Sequence, residues 1–273
     1  MRIWKAIMAA LMVFIIAGCT LFLITEMKDS STDQRAVVEE QKKIKSGNEA
    51  ADQSSAPLTV QKNRIKGRAQ PAVSEKRLDA PYVSQKPELP NGCEVTSLTM
   101  LLQFAHVKVD KMTLASQIKK VPFQSGKFKG NPNDGFVGNM YHGRRSNPGL
   151  AVYHGPVAEL AANYLGARVN DLTGKPWSAV EKQLIAGKPV WTITSINFRP
   201  VPDSAWVDWR TREGTMRITF KEHSVLVTGF DKEHVYFNDP LAGRPGSKAN
   251  KQLFIKAWHQ FGNQAISYTD AEE

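Results

Sequence analysis

Residues 222–239 read EHSVLVTGFDKEHVYFND and predict a β-hairpin, because two largely apolar runs flank a short polar turn. A turn centred on Asp231 places three pairs of residues on one side of this hairpin: Val227 with Val235, Val225 with Phe237, and His223 with Asp239. The stretch therefore predicts an antiparallel sheet that carries an imidazole and a carboxylate together at one rim. A register shifted by one residue would separate them.

In this arrangement Asp239 would hold the His223 ring in one tautomer and stabilise its charged form. Asp231 and Asn238 compete for the same role, since both lie in the hairpin. Structural explanations also exist, because a histidine on a strand is often structural and an aspartate before Pro240 is common in turns. The hairpin alone leaves these alternatives open.

Upstream of the hairpin, apolar residues recur at helical spacing, as Val95, Leu98 and Leu102 do. Because helices come first and antiparallel strands later, we expect an α+β fold in which helices pack on an antiparallel sheet. Residues 122–150 are crowded with Gly, Pro and Asn and predict a long binding loop. The predicted helices are 94–106, 114–118, 156–166 and 176–187, and the predicted strands are 190–194, 215–220, 224–230 and 235–238.

Cys93 follows the turn Pro90-Asn91-Gly92 and stands where the first helix begins. The partial positive charge of a helix N-terminus stabilises a thiolate, so we expect the pKa of Cys93 to lie below its ordinary value. These features favour a nucleophile, whereas the simpler interpretation is a small buried apolar residue. His106 is too far along the same helix to serve as its base.

The composition is that of a folded protein. Of 273 residues, 41% are hydrophobic and 9% are aromatic, which excludes wholesale disorder. With 2 cysteines, Cys19 and Cys93, a disulfide scaffold and a thiolate-rich metal site are excluded. No metal or organic cofactor is indicated. The net charge of +10 favours anionic surroundings, but no nucleic-acid motif is present.

The two ends of the chain differ. Residues 6–25 are uncharged and apolar enough to cross a membrane, with Arg2 and Lys5 before them. We expect residues 1–25 to be a signal anchor, or a lipoprotein signal lipidated at Cys19, that places the rest on the extracytoplasmic face of the cell membrane. Residues 26–75 predict a flexible tether, and residues 76–273 the folded domain.

Several segments resemble one family of enzymes. They are Ser84-Gln85, 89–98 (LPNGCEVTSL), 134–138 (DGFVG), 187–190 (GKPV), 222–226 (EHSVL) and 238–240 (NDP). Together they resemble exported, membrane-anchored members of the papain-like cysteine peptidases of the bacteriocin-processing type, cysteine peptidase family 39. The resemblance covers nearly all of residues 78–270.

This resemblance implies a papain-like fold with a triad of Cys93, His223 and Asp239. It also implies that Gln85 donates to the oxyanion of a tetrahedral intermediate, together with the backbone N–H of Cys93. One departure is Glu94, where the leader-processing enzymes usually have glycine, so cleavage after a double glycine is not implied. We expect Glu94 to point outward, towards substrate.

Aromatic residues predict further substrate contacts. Trp206 and Trp209 could line a cleft, with Trp191 near them in sequence, although a place in the core is an equally good interpretation of each. Tyr153, with Tyr141 and His142, flanks the Gly-rich loop and could shape a groove.

The preferred hypothesis is a membrane-tethered extracytoplasmic thiol hydrolase that cleaves peptide or cell-wall substrates through an acyl-enzyme. The alternatives are a transglutaminase-like acyl transferase and a non-catalytic papain-like module that binds wall peptide or polymer. The sequence specifies neither the natural substrate nor the oligomeric state.

Overall fold

The computed structural model describes residues 74–142 and 146–270. Within these ranges the main element is a seven-stranded sheet whose strand pairs are all antiparallel. The strands, numbered along the chain, are β1 (Lys76–Arg77), β6 (Val169–Asp171), β7 (Val190–Ser195), β10 (Glu222–Phe230), β11 (His234–Asn238), β12 (Ser247–Asn250) and β13 (Ala265–Tyr268). Their linear order is β12-β11-β10-β7-β13-β6, and β1 pairs with the far end of β10.

Short strand pairs build the surface beside this sheet. The segment predicted as a long loop holds one antiparallel pair, and also one strand of a parallel pair whose other strand lies directly before it. A further antiparallel hairpin immediately precedes β10. These pairs are β2 (Lys120–Val121) with β5 (Phe136–Val137), β3 (Gln124–Ser125) with β4 (Phe128–Lys129), and β8 (Val207–Arg210) with β9 (Thr215–Ile218).

Helices cover both faces of the large sheet. Leu226 and Trp191 face one buried cluster with the apolar sides of the first three helices. Val225 and Val227 face a second cluster with the last two helices. The helices are α1 (Cys93–Phe104), α2 (Lys111–Gln117), α3 (His154–Leu165), α4 (Trp177–Ile185) and α5 (Lys251–Gln260). The predicted α+β class, with helices packed on an antiparallel sheet, is confirmed.

The predicted hairpin exists, but its register was wrong. The strands pair as Phe230 with Val235 and Gly229 with Tyr236, and then shift to Val227 with Phe237. The shift is a β-bulge at Thr228, which puts one extra residue into β10.

The bulge decides which side of the sheet the end of the hairpin faces. Without the extra residue, the pairing of Phe230 with Val235 would carry on to set Asp239 opposite Leu226, on the α1 face. With it, Leu226 lies opposite Asn238, so Asp239 follows opposite Val225. Asp239 therefore shares a face with His223.

Gly229 fits the bulge because another backbone passes close to it. A Cβ at this position would lie 2.3 Å from the carbonyl oxygen of Lys76 in β1. Only glycine allows β1 to approach β10 this closely. The bulge in β10 therefore coincides with a contact between β1 and β10, two segments far apart in the chain. The sequence of the turn alone did not predict it.

The predicted membrane segment and almost all of the predicted tether lie outside the described residues. In the part that the structure describes, none of the helices combines the length and the apolar character that a membrane span requires.

Candidate functional site

Cys93 is the first residue of α1, and its turn is fixed from two sides. The backbone N–H of Asn91 donates to the carbonyl of Met140 at 3.1 Å, and its side-chain amide donates to Asn139 at 3.2 Å. The indole N–H of Trp191, in β7, donates to the carbonyl of Glu94 at 3.0 Å. These bonds anchor the start of α1 to the loop and to the centre of the sheet.

The sulfur of Cys93 lies among acidic groups. Its thiol donates to Oε2 of Glu94 at 3.3 Å. One carboxylate oxygen from each of Glu94 and Glu222 lies within 4.8 Å of the sulfur and of the other. The backbone of Ser224 supplies a hydrogen bond that favours the thiolate. The Cys93 residue is 8% exposed.

The expectation that Glu94 points outward is wrong. Glu94 is 0% exposed, and its Oε1 accepts a hydrogen bond from the backbone N–H of Val152 at 2.8 Å. That buried N–H needs an acceptor, and the Glu94 carboxylate provides one. Glu94 is therefore part of the wall around the sulfur.

The expected lowering of the Cys93 pKa is also wrong. Burial, followed by the charges of Glu94 and Glu222, raises the pKa of the Cys93 thiol well above its ordinary value. Burial likewise raises the pKa of Glu94 to about 7 and the pKa of Glu222 well above its usual range. The helix N-terminus does not outweigh the loss of water and the two neighbouring carboxyl groups.

His223 and Asp239 form a buried pair. Nε2 of His223 lies 2.8 Å from Oδ1 of Asp239, and the His223 residue is 1% exposed. Burial acts to raise the pKa of Asp239, but the hydrogen bond to His223, its charge, and the N–H of Leu241 hold that pKa below its usual value. The Phe198 ring, centred 6.2 Å from the imidazole, covers it from the α4–α5 side.

The two competing partners of His223 have other contacts. The amide of Asn238 donates to the carbonyls of Ala80 and Pro81, each at 3.0 Å. Asp231 accepts bonds from backbone N–H groups in the turn and from the hydroxyl of Tyr236. Both residues hold the hairpin in place, and Asp239 is the carboxylate that contacts the imidazole.

The Cys93 sulfur and the His223 imidazole lie on opposite faces of the sheet at β10. Glu222 and Ser224 alternate with His223, so they face α1 while the imidazole faces the α4–α5 cluster. Within the described residues no hydrogen bond joins the Cys93 sulfur to His223, whose Nδ1 has no hydrogen-bond partner there. The contact with Ser224 nevertheless brings the sulfur to the backbone directly after His223.

Gln85 connects the cysteine turn with the end of the hairpin. Its side-chain amide donates to the carbonyls of Leu89 at 3.1 Å and Pro90 at 2.9 Å, and its backbone N–H donates to Pro240 at 3.0 Å. Gln85 is 1% exposed, and its Oε1 is buried with no hydrogen-bond partner in the described part of the chain.

The aromatic candidates divide into core and rim residues. Trp209 is 5% exposed, bonds to the carbonyl of Gly130 and packs against Phe123, so its predicted place on a cleft wall is wrong. Its ring packs the β8–β9 hairpin against the loop region, in a small buried cluster with Val137 and Ile218. Trp206 is half-buried against Phe261.

Tyr153 is the candidate whose hydroxyl is influenced by the two glutamates around the sulfur. Burial, and then the charges of Glu222 and Glu94, raise its pKa. Tyr141 is half-buried with its hydroxyl on the carbonyl of Ala115, whereas His142 is exposed. Trp191 belongs to the core.

Glu222 was not predicted from the sequence as a site residue. A charged residue at the start of an apolar strand was the signal that could have identified it.

Cys93, Glu94 and Glu222 are also the group of potential metal ligands found within the described residues. A cation would require all three to lose their protons. Because burial raises all three pKa values, the geometry favours protonated side chains.

Comparisons with known proteins agree on one family. Residues 77–266 match the family described as "Peptidase_C39 like family". A Bacillus subtilis (strain 168) protein described as "Uncharacterized protein YvpB" is 47% identical over 220 residues, which are 79% of this chain and 82% of that protein. A crystal structure of a putative C39-like peptidase from Bacillus anthracis superposes with a TM-score of 0.70 and 45% identity, over 73% of this chain and 99% of that one.

Proposed function

The chain belongs to the peptidase C39-like family, and from that premise we propose that it is a cysteine peptidase with Cys93 as its nucleophile. The resemblance inferred from the motifs is thereby confirmed at the level of the family. Activity, triad and substrate remain our proposal, because the B. subtilis relative is described as uncharacterized.

One observation carries the proposal. Nε2 of the buried His223 imidazole lies 2.8 Å from Oδ1 of Asp239. His223 directly precedes Ser224, the residue whose backbone contacts the Cys93 sulfur. An oriented base and a nucleophile at a helix start are the two parts that nucleophilic catalysis requires, and here both reach the same strand, β10. Nδ1 of His223 is the nitrogen left for the thiol, once the ring or the sulfur moves into hydrogen-bonding distance.

The proposed reaction follows from these roles. Nδ1 of His223 takes the thiol proton, and the thiolate forms a C–S bond to the substrate carbonyl carbon. The imidazolium returns that proton to the amine as the C–N bond breaks, leaving a thioester on Cys93. Water then hydrolyses the thioester to a carboxylic acid and regenerates the thiol. Asp239 keeps the ring oriented and stabilises its charged form.

The oxyanion of the intermediate requires fixed donors. The backbone N–H of Cys93 and the amide of Gln85 are our candidates. Since the Gln85 amide donates to two loop carbonyls, it has to turn before it can donate to substrate.

Chemical trapping tests the proposal. We expect a peptidyl chloromethyl ketone to add its mass, less HCl, to the peptide containing Cys93, and the loss of peptide hydrolysis to follow the extent of labelling. A library of fluorogenic peptides provides the substrate for the hydrolysis measurement. Labelling of Cys93 by a matched ketone without a peptide, at the same rate, would contradict a peptide-binding active site.

A non-catalytic binding module is the second candidate. The observation in its favour is that the thiol donates to Glu94, while no hydrogen bond joins it to His223 in the described residues. Binding of peptides from the same library without any hydrolysis, by protein that the ketone does not label, would favour this candidate.

We also propose that the domain acts on peptide, including wall peptide, at the outer face of the cell membrane. The support is the uncharged run at residues 6–25 with basic residues before it. We expect the full chain to remain with membranes through carbonate extraction, and a chain lacking residues 1–25 to be released. Release of the full chain by carbonate would contradict the anchor.

A further inference from the structure

A cavity of about 230 Å³ lies beside the ends of β7 and β10 that carry the proposed site. Ser195, the last residue of β7, pairs with Glu222, and Thr194 pairs with His223. Both Ser195 and Lys221, the residue directly before Glu222, line the cavity. The cavity therefore borders the part of the sheet on which the histidine of the proposed triad lies.

The loop that follows β7 crosses from one face of the sheet to the other. Phe198 packs in the α4–α5 cluster and covers His223, whereas Val201 belongs to the cluster on the α1 face. Phe198 has a φ of 55°, in the left-handed region that residues other than glycine rarely adopt. Val201 and Ala205 line the cavity, so it lies on the α1 face, as the Cys93 sulfur does.

Hydrogen bonds fix the walls of this cavity. The hydroxyl of Ser195 donates to the carbonyl of Arg199 at 2.5 Å and accepts from the N–H of Arg199 at 3.1 Å. The side chain of Gln260, in α5, accepts from the N–H of Val201 at 2.7 Å and donates to its carbonyl at 3.0 Å. Because both ends of the segment 195–201 are held, the cavity is formed before a ligand enters it.

The lining combines apolar walls with two cations, Arg199 and Lys221. Both are exposed, and neither forms an ion pair within residues 74–142 and 146–270. Among the described residues that line the cavity none is acidic, and Asp203 on the same loop pairs with Arg217 at 3.4 Å. The apolar residues of the lining are Ile196, Pro200, Val201, Pro202 and Ala205.

We propose that this cavity is a specificity subsite that binds a carboxylate-bearing residue of the substrate, with Arg199 and Lys221 as its cationic contacts. The inference rests on the proposed function and deepens it, because it names the substrate class. That class is peptides with an acidic side chain, or a free C-terminal carboxylate, near the cleaved bond.

The size and chemistry of the cavity fit one such residue. At about 230 Å³ it is smaller than the cavities of about 300–1,000 Å³ that hold drug-sized ligands, so it suits a single side chain. The apolar walls pack against the aliphatic carbons of that side chain. The planar guanidinium of Arg199 can bind both oxygens of a carboxylate, and Lys221 adds a second positive charge. A neutral amide of the same shape satisfies neither cation.

Binding of labelled peptides to the full chain carrying Cys93→Ala tests the proposal without hydrolysis. The peptides are made in matched pairs, with Glu or Gln at each position in turn, and with a free carboxylate or a carboxamide at the C-terminus. Fluorescence anisotropy gives the affinity of each peptide. We expect one pair in which the charged member binds at least about tenfold more tightly, because hydrogen bonds to charged groups are strong. A preference at an internal position assigns the acidic side chain, and a preference in the terminal pair assigns the C-terminal carboxylate.

Two variants locate the preference in the cavity. Arg199→Gln should reduce the affinity for the charged peptide to that for its neutral partner. Lys221→Gln should reduce it in the same direction, and it decides the question if Arg199→Gln does not fold. The matched control is Lys232→Gln, which removes a cation from an exposed position in the β10–β11 turn and should keep the preference.

Equal affinities within every pair, or a preference that both variants retain, would overturn the subsite. Hydrolysis of the same pairs by the natural chain separates this result from the proposed function. If the preference depends on Arg199 but no peptide is hydrolysed, the proposed function fails and the subsite stands. If peptides are hydrolysed without any preference, the subsite fails and the proposed function stands.

Discussion

Replacing His223 with alanine is expected to lower kcat/KM for peptide hydrolysis by about 10,000-fold, close to the level reached when Cys93 itself is replaced by alanine. The imidazole is the group proposed to take the thiol proton and to return it to the leaving amine, so both chemical steps of acylation lose their proton carrier. Steady-state hydrolysis of a fluorogenic peptide identified from the library measures the effect.

Two controls separate catalysis from folding. Asp239→Asn retains the shape of the pair but favours the wrong tautomer of the His223 ring. We expect it to lower kcat/KM by about 1,000- to 10,000-fold. His154→Ala breaks another imidazole–carboxylate pair, the 2.6 Å contact with Asp171, which is half-exposed at the start of α3. We expect that variant to keep its activity. Full activity in His223→Ala would exclude the triad.

Replacing Trp191 with alanine is expected to reduce the free energy of unfolding by about 3–5 kcal/mol, because the indole is 0% exposed at the centre of the sheet. For a domain of this size, such a loss lowers Tm by about 10 °C. Thermal unfolding followed by circular dichroism measures it. A shift of only a few degrees would show that the core collapses to fill the space.

Trp191→Phe isolates the indole hydrogen bond to the carbonyl of Glu94, which is 3.0 Å long. We expect it to cost about 1 kcal/mol, since most of the ring remains and one buried bond is lost. The carbonyl that loses this bond belongs to Glu94, which directly follows Cys93. We therefore expect the phenylalanine variant to change the rate of Cys93 alkylation by iodoacetamide even though its loss of stability is small. An unchanged alkylation rate would limit the role of Trp191 to packing.

The sequence predicted well those features that depend on local spacing. The helix at Cys93 was expected from residues 94–106 and is observed over Cys93–Phe104, because its apolar spacing and the turn before it are both local. The strands at Val190 and Glu222 were found for the same reason. The α5 helix, Lys251–Gln260, was not among the helices predicted from the sequence.

The features that were missed depend on contacts between distant residues. The bulge in β10 coincides with the approach of Lys76 to Gly229, which no pattern in the hairpin reveals. The inward direction of Glu94 depends on the N–H of Val152, which lies 58 positions further along the chain. The shift in the Cys93 pKa depends on burial and on Glu222, and these outweigh the local effect of the helix start.

The bulge at Thr228 makes the count of residues in this segment matter more than their chemical identity. Phe230 and Val235 close the turn, so a grafted loop that links them leaves the orientation of everything beyond Val227 intact, whatever its length. Removing one residue between Val227 and Phe230 would instead rotate the carboxylate of Asp239 to the opposite surface of the sheet. In an engineered or diverged version of this protein, insertions at the tip of the hairpin are therefore tolerable. A deletion of one residue at the bulge, two positions before Phe230, would instead separate the Asp239 carboxylate from the His223 imidazole.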